Sequence, residues 1–209
     1  RSIAGGDWGQ HGHDWRNPGF EQTGDHPVVG VSWDDAKAFC DWLTQRDRKM
    51  GVLTKDQVYR LPTDSEWSAA VGLREKKGGS PADKNSVVDN QYAWGNRWPP
   101  SEAFGNFAGT EIGSSNWPDT WQVIPQHRDE FSQTSPVGSF PRGRNGLYDM
   151  SGNVWEWCED RYQSGALWKV LRGASWGTNK KEDLLLSRRE FYGPKDRYSL
   201  LGFRCVVSY

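Results

Sequence analysis

A chain of 209 residues is long enough for one sizeable hydrophobic core and requires no second domain, so we expect a single domain over residues 1–209. Its 26 Lys and Arg nearly balance its 27 Asp and Glu, and the net charge of −1 leaves no broad positive field to hold a nucleic acid. No apolar run approaches the ~20 residues that cross a bilayer, which argues against direct membrane insertion.

Aromatic residues and turn formers dominate the composition. Only 35% of the residues are hydrophobic, yet the chain has 13 Trp, 7 Tyr and 8 Phe together with 24 Gly and 11 Pro. Large rings must therefore fill the core, and each buried indole N–H or phenol O–H needs a polar partner. Abundant Gly and Pro indicate many turns. We expect an irregular, loop-rich α+β domain that something other than long secondary structure stiffens.

The chain begins at Arg1 without a charged-then-apolar leader, which fits a piece of a longer protein. Residues 1–25 are predicted to be an irregular lead-in, followed by a buried strand in HPVVGVS, residues 26–32. A helix then begins, because Ser32 and Asp35 form a capping-box pattern and apolar residues follow at helical spacing up to Gly51.

A second helix is predicted by the same signals, with Thr63 as the cap, Glu66 three residues later and Gly72 at the end. Residues 76–135 show almost no regular period and are predicted to be long, packed loops. Loops of this length are uncommon unless a function or a bound ion orders them. The last third holds three strand candidates, at SPVGSF (135–140), KVLRGASW (169–176) and GFRCVVSY (202–209).

Cysteine and histidine spacing predicts no zinc site. Cys40, Cys158 and Cys205 are far apart in sequence, and no Cys-x-x-Cys motif accompanies them. One disulfide with one free thiol and three buried reduced thiols both stay open as alternatives. His11 and His13 are too weak a pattern to predict a metal. The chain also lacks every motif of a protein kinase, so we expect it not to transfer phosphate itself.

The stretch GLYDMSGNVWEWCED carries the densest group of candidate ligands. Alternate polar residues from Asp149 to Asn153 resemble the start of an EF-hand, but that motif needs Gly and Glu where Val154 and Asp160 stand. A different calcium loop is one interpretation, in which Asp149 and Glu156 supply carboxylates beside backbone carbonyls. A turn with two solvated acids is the other, and the residues alone do not decide between them.

Several motifs together resemble the formylglycine-generating enzymes, also called sulfatase-modifying factors. The likeness covers residues 26–209 and, through WRNPGFEQTGDHPV, is nearest to the versions fused to bacterial serine/threonine kinases. It implies a C-type-lectin-like fold with two main helices, short antiparallel strands and little other regular structure. The motifs are, in order, HPVVGVSWDDAKAFCDWL, YRLPTDSEW, YAWGN, NFAG, TSPVGSFPRGRNGLYDMSGNVWEW, LRGASW and LGFRC.

The resemblance implies two structural calcium ions, which would order the long loops. The first site would take the side chains of Asn106 and Asp129 and the carbonyls of Phe107 and Phe131. The second site would take the side chains of Asp149 and Glu156 and the carbonyls of Gly152 and Val154. On this interpretation calcium is the cofactor of the domain.

The resemblance also implies a disulfide between Cys40 and Cys205, which leaves Cys158 single. Closing so long a loop stabilises a fold by about 4–5 kcal/mol on the chain-entropy model. A disulfide favours an oxidising compartment, so an oxidised pair would indicate an extracytoplasmic bacterial domain and a reduced pair a cytoplasmic one.

One departure from the family bears on catalysis. Active members place two cysteines after the strand that corresponds to LRGASW, where their thiolates bind copper(I) and activate oxygen to oxidise a substrate cysteine. Here the segment reads GASWGTNKKEDLLLSRRE, with Thr178 and Asp183 near the corresponding places. Copper(I) selects soft sulfur ligands, which these side chains cannot replace. We therefore expect no bound copper and no formylglycine production by the family mechanism.

These observations favour a non-catalytic recognition or regulatory module, monomeric when isolated and joined to a signalling kinase. It would bind a peptide, a protein or a small molecule in the former substrate groove, since aromatic and Arg side chains are good anchors in partly desolvated pockets. The residues predicted to line that groove are Trp155, Ser175, Trp176, Thr178, Asp183 and Arg189. Both tryptophans are more often core than contact residues.

Two alternatives stay open. The first is an enzyme of the same family with altered chemistry, which would use the surviving pocket together with Cys158 or a newly bound metal. The second is a hypervariable receptor of a diversity-generating system. Some hypervariable binding proteins of this fold vary the segment between the two motifs that correspond to LRGASW and LGFRC here.

Overall fold

The computed structural model describes residues 14–100, 104–114 and 122–209. In this part of the chain the fold is α+β with two longer helices and short strands, which confirms the predicted class. The helices are α1 (Trp33–Lys49), α2 (Asp64–Ala70) and α3 (Pro81–Lys84), with 3₁₀ turns at Thr110–Ser114 and Lys181–Leu184. The strands are β1 (Val58–Arg60), β2 (Trp155–Arg161), β3 (Lys169–Arg172), β4 (Glu190–Tyr192), β5 (Leu201–Gly202) and β6 (Val206–Ser208).

The two predicted helices are confirmed, and each begins with the expected capping box. The Ser32 hydroxyl accepts from the Asp35 backbone N–H at 3.1 Å, and the Asp35 carboxylate accepts from the Ser32 N–H at 2.9 Å. Thr63 and Glu66 make the same pair of bonds at 3.1 and 2.8 Å. Each capping box supplies acceptors for two backbone N–H groups that have no partner within the helix, and this fixes where the helix begins.

A third capping box begins the short helix α3 inside the region predicted to be loops. Ser80 and Asp83 exchange the two bonds, and Pro81 occupies the first turn. A proline there loses no hydrogen bond, because the first N–H groups of a helix have no partner within it. The motif is visible in the sequence as SPAD, so this helix was predictable.

Four strands form the main sheet, in the order β4-β3-β2-β5. β4 pairs with β3 and β3 with β2 in antiparallel fashion, whereas β2 and β5 are parallel through Trp155 and Leu201. A separate antiparallel pair joins β1 to β6, with Tyr59 opposite Val207. The expectation of antiparallel strands is therefore right for three pairings and wrong for the fourth.

The strand predicted over residues 26–32 is wrong. Val29 and Val31 are buried as expected, but Gly30 between them has a φ of +68°, which is incompatible with an extended strand. Its N–H donates to the carbonyl of Tyr198 at 3.1 Å. A Cβ on Gly30 would lie 3.0 Å from the backbone carbon of Asp14, so the close contact with the lead-in also requires glycine.

The three strand candidates of the last third have mixed outcomes. SPVGSF forms no strand, because the chain turns at Gly138, where φ is +78°. KVLRGASW is a strand only over β3, since Gly173 and Ala174 take φ values of +97° and +65° and end it. GFRCVVSY is divided between β5 and β6.

The central strand β2 was missed because its pattern is not that of a half-exposed strand. Its first four residues are all buried, so the expected alternation of apolar and polar side chains is absent. Acidic residues and Cys158 follow the two tryptophans, which made the segment resemble a metal loop more than a strand.

Aromatic rings are the largest side chains of the core, as the composition predicts, but leucines and valines outnumber them there. Trp67, Trp157 and Trp176 are fully buried, and each indole N–H has an acceptor. Trp157 donates to the Val31 carbonyl at 3.0 Å, and Trp176 donates to the Ser199 carbonyl at 3.2 Å. These bonds connect β2 and the loop after β3 to irregular segments, so the rings also position the loops.

The lead-in is irregular where the structure describes it, with a bridge between Asp14 and Asn17. Residues 1–13, which include His11 and His13, lie outside the described residues. No helix within the described ranges has the length and apolar content needed to cross a bilayer.

Candidate functional site

The first predicted calcium set is assembled around the buried carboxylate of Asp129. Its Oδ2 accepts from the Phe107 N–H at 2.7 Å and lies 3.2 Å from Nε2 of His127, and its Oδ1 accepts from the Phe131 N–H at 3.0 Å. The structure thus brings residues 106–107 and 129–131 together, through the N–H groups of Phe107 and Phe131. The carbonyl contacts to calcium that the resemblance implies stay a prediction. His127 is a contact that sequence reasoning missed, because nothing in its spacing indicated it.

Asn106 has a buried oxygen that a cation would satisfy. The residue is fully buried, its Nδ2 donates to the Gln133 carbonyl at 2.6 Å, and its Oδ1 has no hydrogen-bond partner among the described residues. A buried amide oxygen without a donor costs about 1–3 kcal/mol, and a divalent cation is one group that would satisfy it.

A second carboxylate lies beside Asp129. Oε2 of Glu111 accepts from the Asp129 backbone N–H at 3.4 Å, and Oε1 accepts from the Gly109 N–H at 3.0 Å. Burial and then the nearby charge of Asp129 raise the pKa of Glu111 above its ordinary value. Two acids in one partly buried place repel each other, and a cation between them would reduce this repulsion.

The second predicted calcium set centres on Glu156, whose carboxylate is already occupied. Arg204 approaches both of its oxygens, with Nε 2.6 Å from Oε2, and the Trp67 indole donates to Oε2 at 2.8 Å. Burial alone would lower the pKa of Arg204, but Glu156 holds it above its ordinary value. Arg204 belongs to the LGFRC motif, and its role as the partner of Glu156 was not predicted.

Asp149 lies close to Glu156 but has no ion pair of its own among the described residues. Its Oδ2 accepts from the Gly138 N–H at 2.7 Å, and its carbonyl accepts from Arg204 at 3.3 Å. Burial is the main cause of a raised pKa at Asp149, and the charge of Glu156 adds to it. The backbone of Asp149 takes a φ of +54°, in the left-handed region that Asp tolerates.

The two predicted calcium sets are connected by direct backbone contact. The Asn153 N–H donates to the Asn106 carbonyl at 2.9 Å. Gly152, at φ +84°, packs so closely that a Cβ would stand 2.5 Å from the same carbonyl. The Asn153 side chain in turn accepts from the Ser135 N–H and donates to the Ser135 carbonyl, both at 3.1 Å.

The residues present fit a calcium ion unequally at the two places. Among the residues that the structure describes, no three His, Cys, Asp or Glu side chains converge, so either ion would depend on amide and carbonyl oxygens. Asn106 offers an unpaired oxygen at the first place, which fits. At the second place Glu156 would first have to release Arg204.

Most residues predicted to line the ligand groove are buried. Trp155, Ser175, Trp176 and Thr178 are at most 8% exposed. Thr178 Oγ1 accepts from the Ser175 N–H at 3.0 Å, so these hydroxyls serve the turn after β3. Trp155 and Trp176 belong to the hydrophobic core. These four side chains pack inside the fold instead of facing a groove in this structure.

Arg189, also predicted as a groove residue, is fully buried in an ion-pair cluster. It contacts both oxygens of Asp64, at 3.0 and 2.9 Å, and both oxygens of Glu75. The buried Arg172 also contacts Asp64 and stacks on Trp67 at 4.4 Å from the ring centroid. Burial alone would raise the pKa of Asp64, but the two arginines lower it overall. The cluster joins α2 to β3 and to Arg189, just before β4.

Asp183 is the predicted groove residue that remains accessible. Its side chain is 30% exposed in the 3₁₀ turn Lys181–Leu184, and its Oδ1 lies 3.2 Å from Nε of Arg188. Any ligand that approaches this face would therefore meet an acid that is already paired.

None of the three cysteines lies in residues 173–190, the segment that directly follows β3. Cys40 and Cys205 are adjacent, with their sulfurs 3.5 Å apart as free thiols. Their contact and then burial raise the pKa of Cys40. A bonded pair would have a separation of about 2.0 Å, so the disulfide stays a prediction. Cys158 is fully buried on β2, and burial raises its pKa well above the ordinary value.

Comparison with known proteins gives consistent matches. The family described as "Sulfatase-modifying factor enzyme 1-like domain" matches residues 2–209. An "Inactive C-alpha-formylglycine-generating enzyme 2" of Mus musculus is 35% identical over 205 residues, which are 93% of this chain and 54% of that protein. The "Serine/threonine-protein kinase pkn1" of Chlamydia caviae is 30% identical over 206 residues, which are 90% of this chain and 25% of that protein.

Among solved structures, PvdO from Pseudomonas aeruginosa has a similar fold. The TM-score is 0.57 at 22% identity, over 90% of this chain and 64% of that one. The chain thus spans about half of the first relative and a quarter of the kinase.

Proposed function

Because the chain belongs to the sulfatase-modifying factor enzyme 1-like family, we propose that it is a non-catalytic recognition or regulatory domain, held in shape by calcium and joined to a bacterial serine/threonine kinase. The observation that carries this proposal is the segment GASWGTNKKEDLLLSRRE, residues 173–190, which contains no cysteine. The segment begins where β3 ends, and its first residues pack into the core.

The position of the remaining cysteines supports the loss of copper chemistry. Copper(I) requires thiolates, and a buried thiol with a raised pKa keeps its proton. Cys158 is in that state and is enclosed by β2, while Cys40 and Cys205 face each other between α1 and the chain just before β6. Nothing places two thiolates beside Thr178 or Asp183, where the resemblance locates the copper site.

The relatives support the context. One relative, which aligns with 93% of this chain at 35% identity, has the word inactive in its name. Another relative is a serine/threonine kinase, and this chain aligns with a quarter of its length. A domain without catalytic groups, fused to a kinase, is suited to bind a ligand and to alter the kinase through that binding.

The calcium part of the proposal is supported by the unpaired oxygen of Asn106 and the crowded acids Asp129 and Glu111. An ion there would hold residues 106–107 and 129–131 together, which otherwise have no regular secondary structure. The second site, at Asp149 and Glu156, is proposed to bind more weakly, because calcium must compete with Arg204 for the Glu156 carboxylate.

Ligand recognition in the former groove is proposed to involve Asp183 and its neighbours on the 3₁₀ turn Lys181–Leu184. The other predicted groove residues would act indirectly, since they hold this turn against the core. Substitution Asp183→Ala would then weaken binding of a peptide, protein or small molecule without unfolding the domain.

The proposal is tested by supplying everything that an active relative needs. The protein is loaded with copper under reducing conditions and incubated in air with a sulfatase-type cysteine peptide, and the peptide is analysed by mass spectrometry. We expect unmodified cysteine, while a formylglycine-generating enzyme used as the positive control gives the aldehyde. Aldehyde in stoichiometric amounts or more would overturn the non-catalytic assignment and favour an enzyme with altered chemistry.

A further inference from the structure

A cavity of about 440 Å³ lies away from the predicted groove. It opens between the C-terminal end of α2 at residues 70–72, the loop of residues 91–96 and the loop of residues 141–151. This volume is within the range of small-molecule sites. None of the predicted groove residues lines it, and of the predicted calcium ligands only Asp149 does.

The walls combine an apolar side with an amide-rich side. Tyr92, Phe104, Met150 and Leu186 supply the apolar surface, while Gln91 and Asn96 supply amide groups. Tyr92 is held rigidly, because its ring stacks on Trp94 with centroids 5.0 Å apart and planes at 5°. A fixed aromatic wall loses little entropy when a ligand packs on it.

Two arginines at the mouth of the cavity have no carboxylate partner in the part of the chain that the structure describes. Arg142 lies over the ring of Tyr148, 4.9 Å from its centroid, and the stem of Arg144 runs along Gly72. Both are exposed. Several other described arginines, such as Arg48 and Arg161, also lack a carboxylate partner, but they bond backbone carbonyls and do not line the cavity.

The negative groups near the cavity are already engaged. The carbonyls of Ala69 and Ala70, at the negative end of α2, accept from Nδ2 of Asn145 at 3.0 and 3.1 Å. The Asp149 carboxylate accepts from the Gly138 N–H at 2.7 Å. With two cationic groups against one engaged acid, the mouth favours an anionic ligand.

We propose that this cavity is a binding site for a carboxylate attached to an apolar or aromatic body. The carboxylate would lie between Arg142 and Arg144, because a guanidinium group binds a planar carboxylate through two parallel hydrogen bonds. The apolar body would pack against Tyr92, Met150 and Leu186. Either a free carboxylic acid or an acidic side chain of a peptide carries this chemistry. The site would bind such a ligand whether or not the domain is catalytic.

The test compares acids with their own amides. 3-Phenylpropionate, indole-3-acetate and glutarate are each titrated beside the matching amide into ¹⁵N-labelled protein, and backbone shifts are followed by NMR. The blocked dipeptide acetyl-Phe-Glu-amide forms a second arm, because it offers a peptide carboxylate and no free acid terminus. We expect at least one acid to bind tenfold more tightly than its amide, with shifts at residues 91–96 and 143–151.

Substitutions at the mouth locate the binding. Arg142→Gln and Arg144→Gln are each expected to lower the affinity for that acid at least threefold and to reduce the salt dependence of binding. Arg161→Gln is the matched control, because Arg161 is also exposed but lies away from the cavity, and it should leave the affinity unchanged. Both mouth arginines are exposed, so the variants should fold. If the dipeptide binds more tightly than the free acids, the natural ligand is a peptide. If a free acid binds more tightly than the dipeptide, the natural ligand is a small carboxylic acid. Equal binding of acids and amides, or no effect of either arginine, would overturn the proposal.

Discussion

The guanidinium of Arg204 and the carboxylate of Glu156 form a two-point ion pair, with Nε 2.6 Å from Oε2, and the Trp67 indole donates to the same carboxylate. The pair joins the chain just after β5 to the central strand β2. It also occupies the β2 carboxylate, that of Glu156, which the proposed second calcium site would need.

Substitution Arg204→Gln tests this competition. Without calcium, the variant should be less stable by roughly 2–3 kcal/mol, because Glu156 keeps its buried charge and loses its charged partner. Calcium should then stabilise the variant more than it stabilises the wild type, since the carboxylate is released for the ion. Chemical denaturation with and without calcium measures both effects.

Arg197→Gln is the matched control for that experiment. Arg197 also pairs with an acid, Asp35, but both side chains are more than a third exposed. Exposed pairs contribute about 0–1 kcal/mol, so little change is expected in either condition. Equal calcium responses in the two variants would contradict the competition at Glu156.

The buried cluster of Asp64, Glu75, Arg172 and Arg189 should be the most sensitive part of the fold. Substitution Asp64→Asn leaves two buried arginines short of one negative charge, which is expected to cost about 3–5 kcal/mol. Asp34→Asn, in the first turn of α1 on an exposed face, should cost a few tenths of a kcal/mol. Urea denaturation of both variants measures the difference, and similar losses would show that the cluster contributes little.

The same cluster predicts a defined loss of stability in acid. Because its arginines hold the pKa of Asp64 below the ordinary value of 3.8, this stabilisation is fully present above pH 3.8 and is lost as the pH falls through the lower folded value. Asp64→Asn should remove this part of the pH dependence. The measurement is the free energy of unfolding of the wild type and of Asp64→Asn, from pH 6 down to the lowest pH at which each is folded. The same dependence on pH in both proteins would contradict the prediction.

Gly152 is predicted to be the glycine least tolerant of a side chain. Gly152→Ala combines an unfavourable φ of +84° with a Cβ 2.5 Å from the Asn106 carbonyl, so the loop of Gly152 and the loop of Asn106 must separate. Gly146→Ala is the matched control, because its φ is +76° but nothing lies within 4 Å of the new Cβ. The control should lose about 1 kcal/mol and Gly152→Ala clearly more. Thermal unfolding of the two variants measures these losses, and equal losses would contradict the prediction for Gly152.

Local signals in the sequence are enough to predict the two longer helices. Ser32 with Asp35 and Thr63 with Glu66 form bonds over three residues, so their geometry depends on few other contacts. Ser80 with Asp83 carries the same signal, but the surrounding residues lack a helical period, so the region as a whole is predicted to be loops.

The strands and the lining of the predicted groove depend on distant contacts, which one sequence does not contain. β2 is covered on both faces, so no alternation marks it, and Gly30 interrupts a run that otherwise resembles a strand. Arg189 was predicted to face a ligand, but its partners Asp64 and Glu75 are more than 100 residues away in the chain. Likewise, the two calcium sets are implied by the resemblance alone, whereas Arg204, which pairs with Glu156, is 48 residues away in the chain.

The central claim that calcium holds the fold is tested most directly by differential scanning calorimetry of the wild type and Asn106→Ala, each in saturating calcium and in chelator. Calcium at 100 times its dissociation constant stabilises a folded state by about 2.7 kcal/mol, so the wild type should unfold several degrees higher in calcium. Asn106→Ala should lose most of that difference. Identical unfolding temperatures of the wild type in calcium and in chelator would contradict the account.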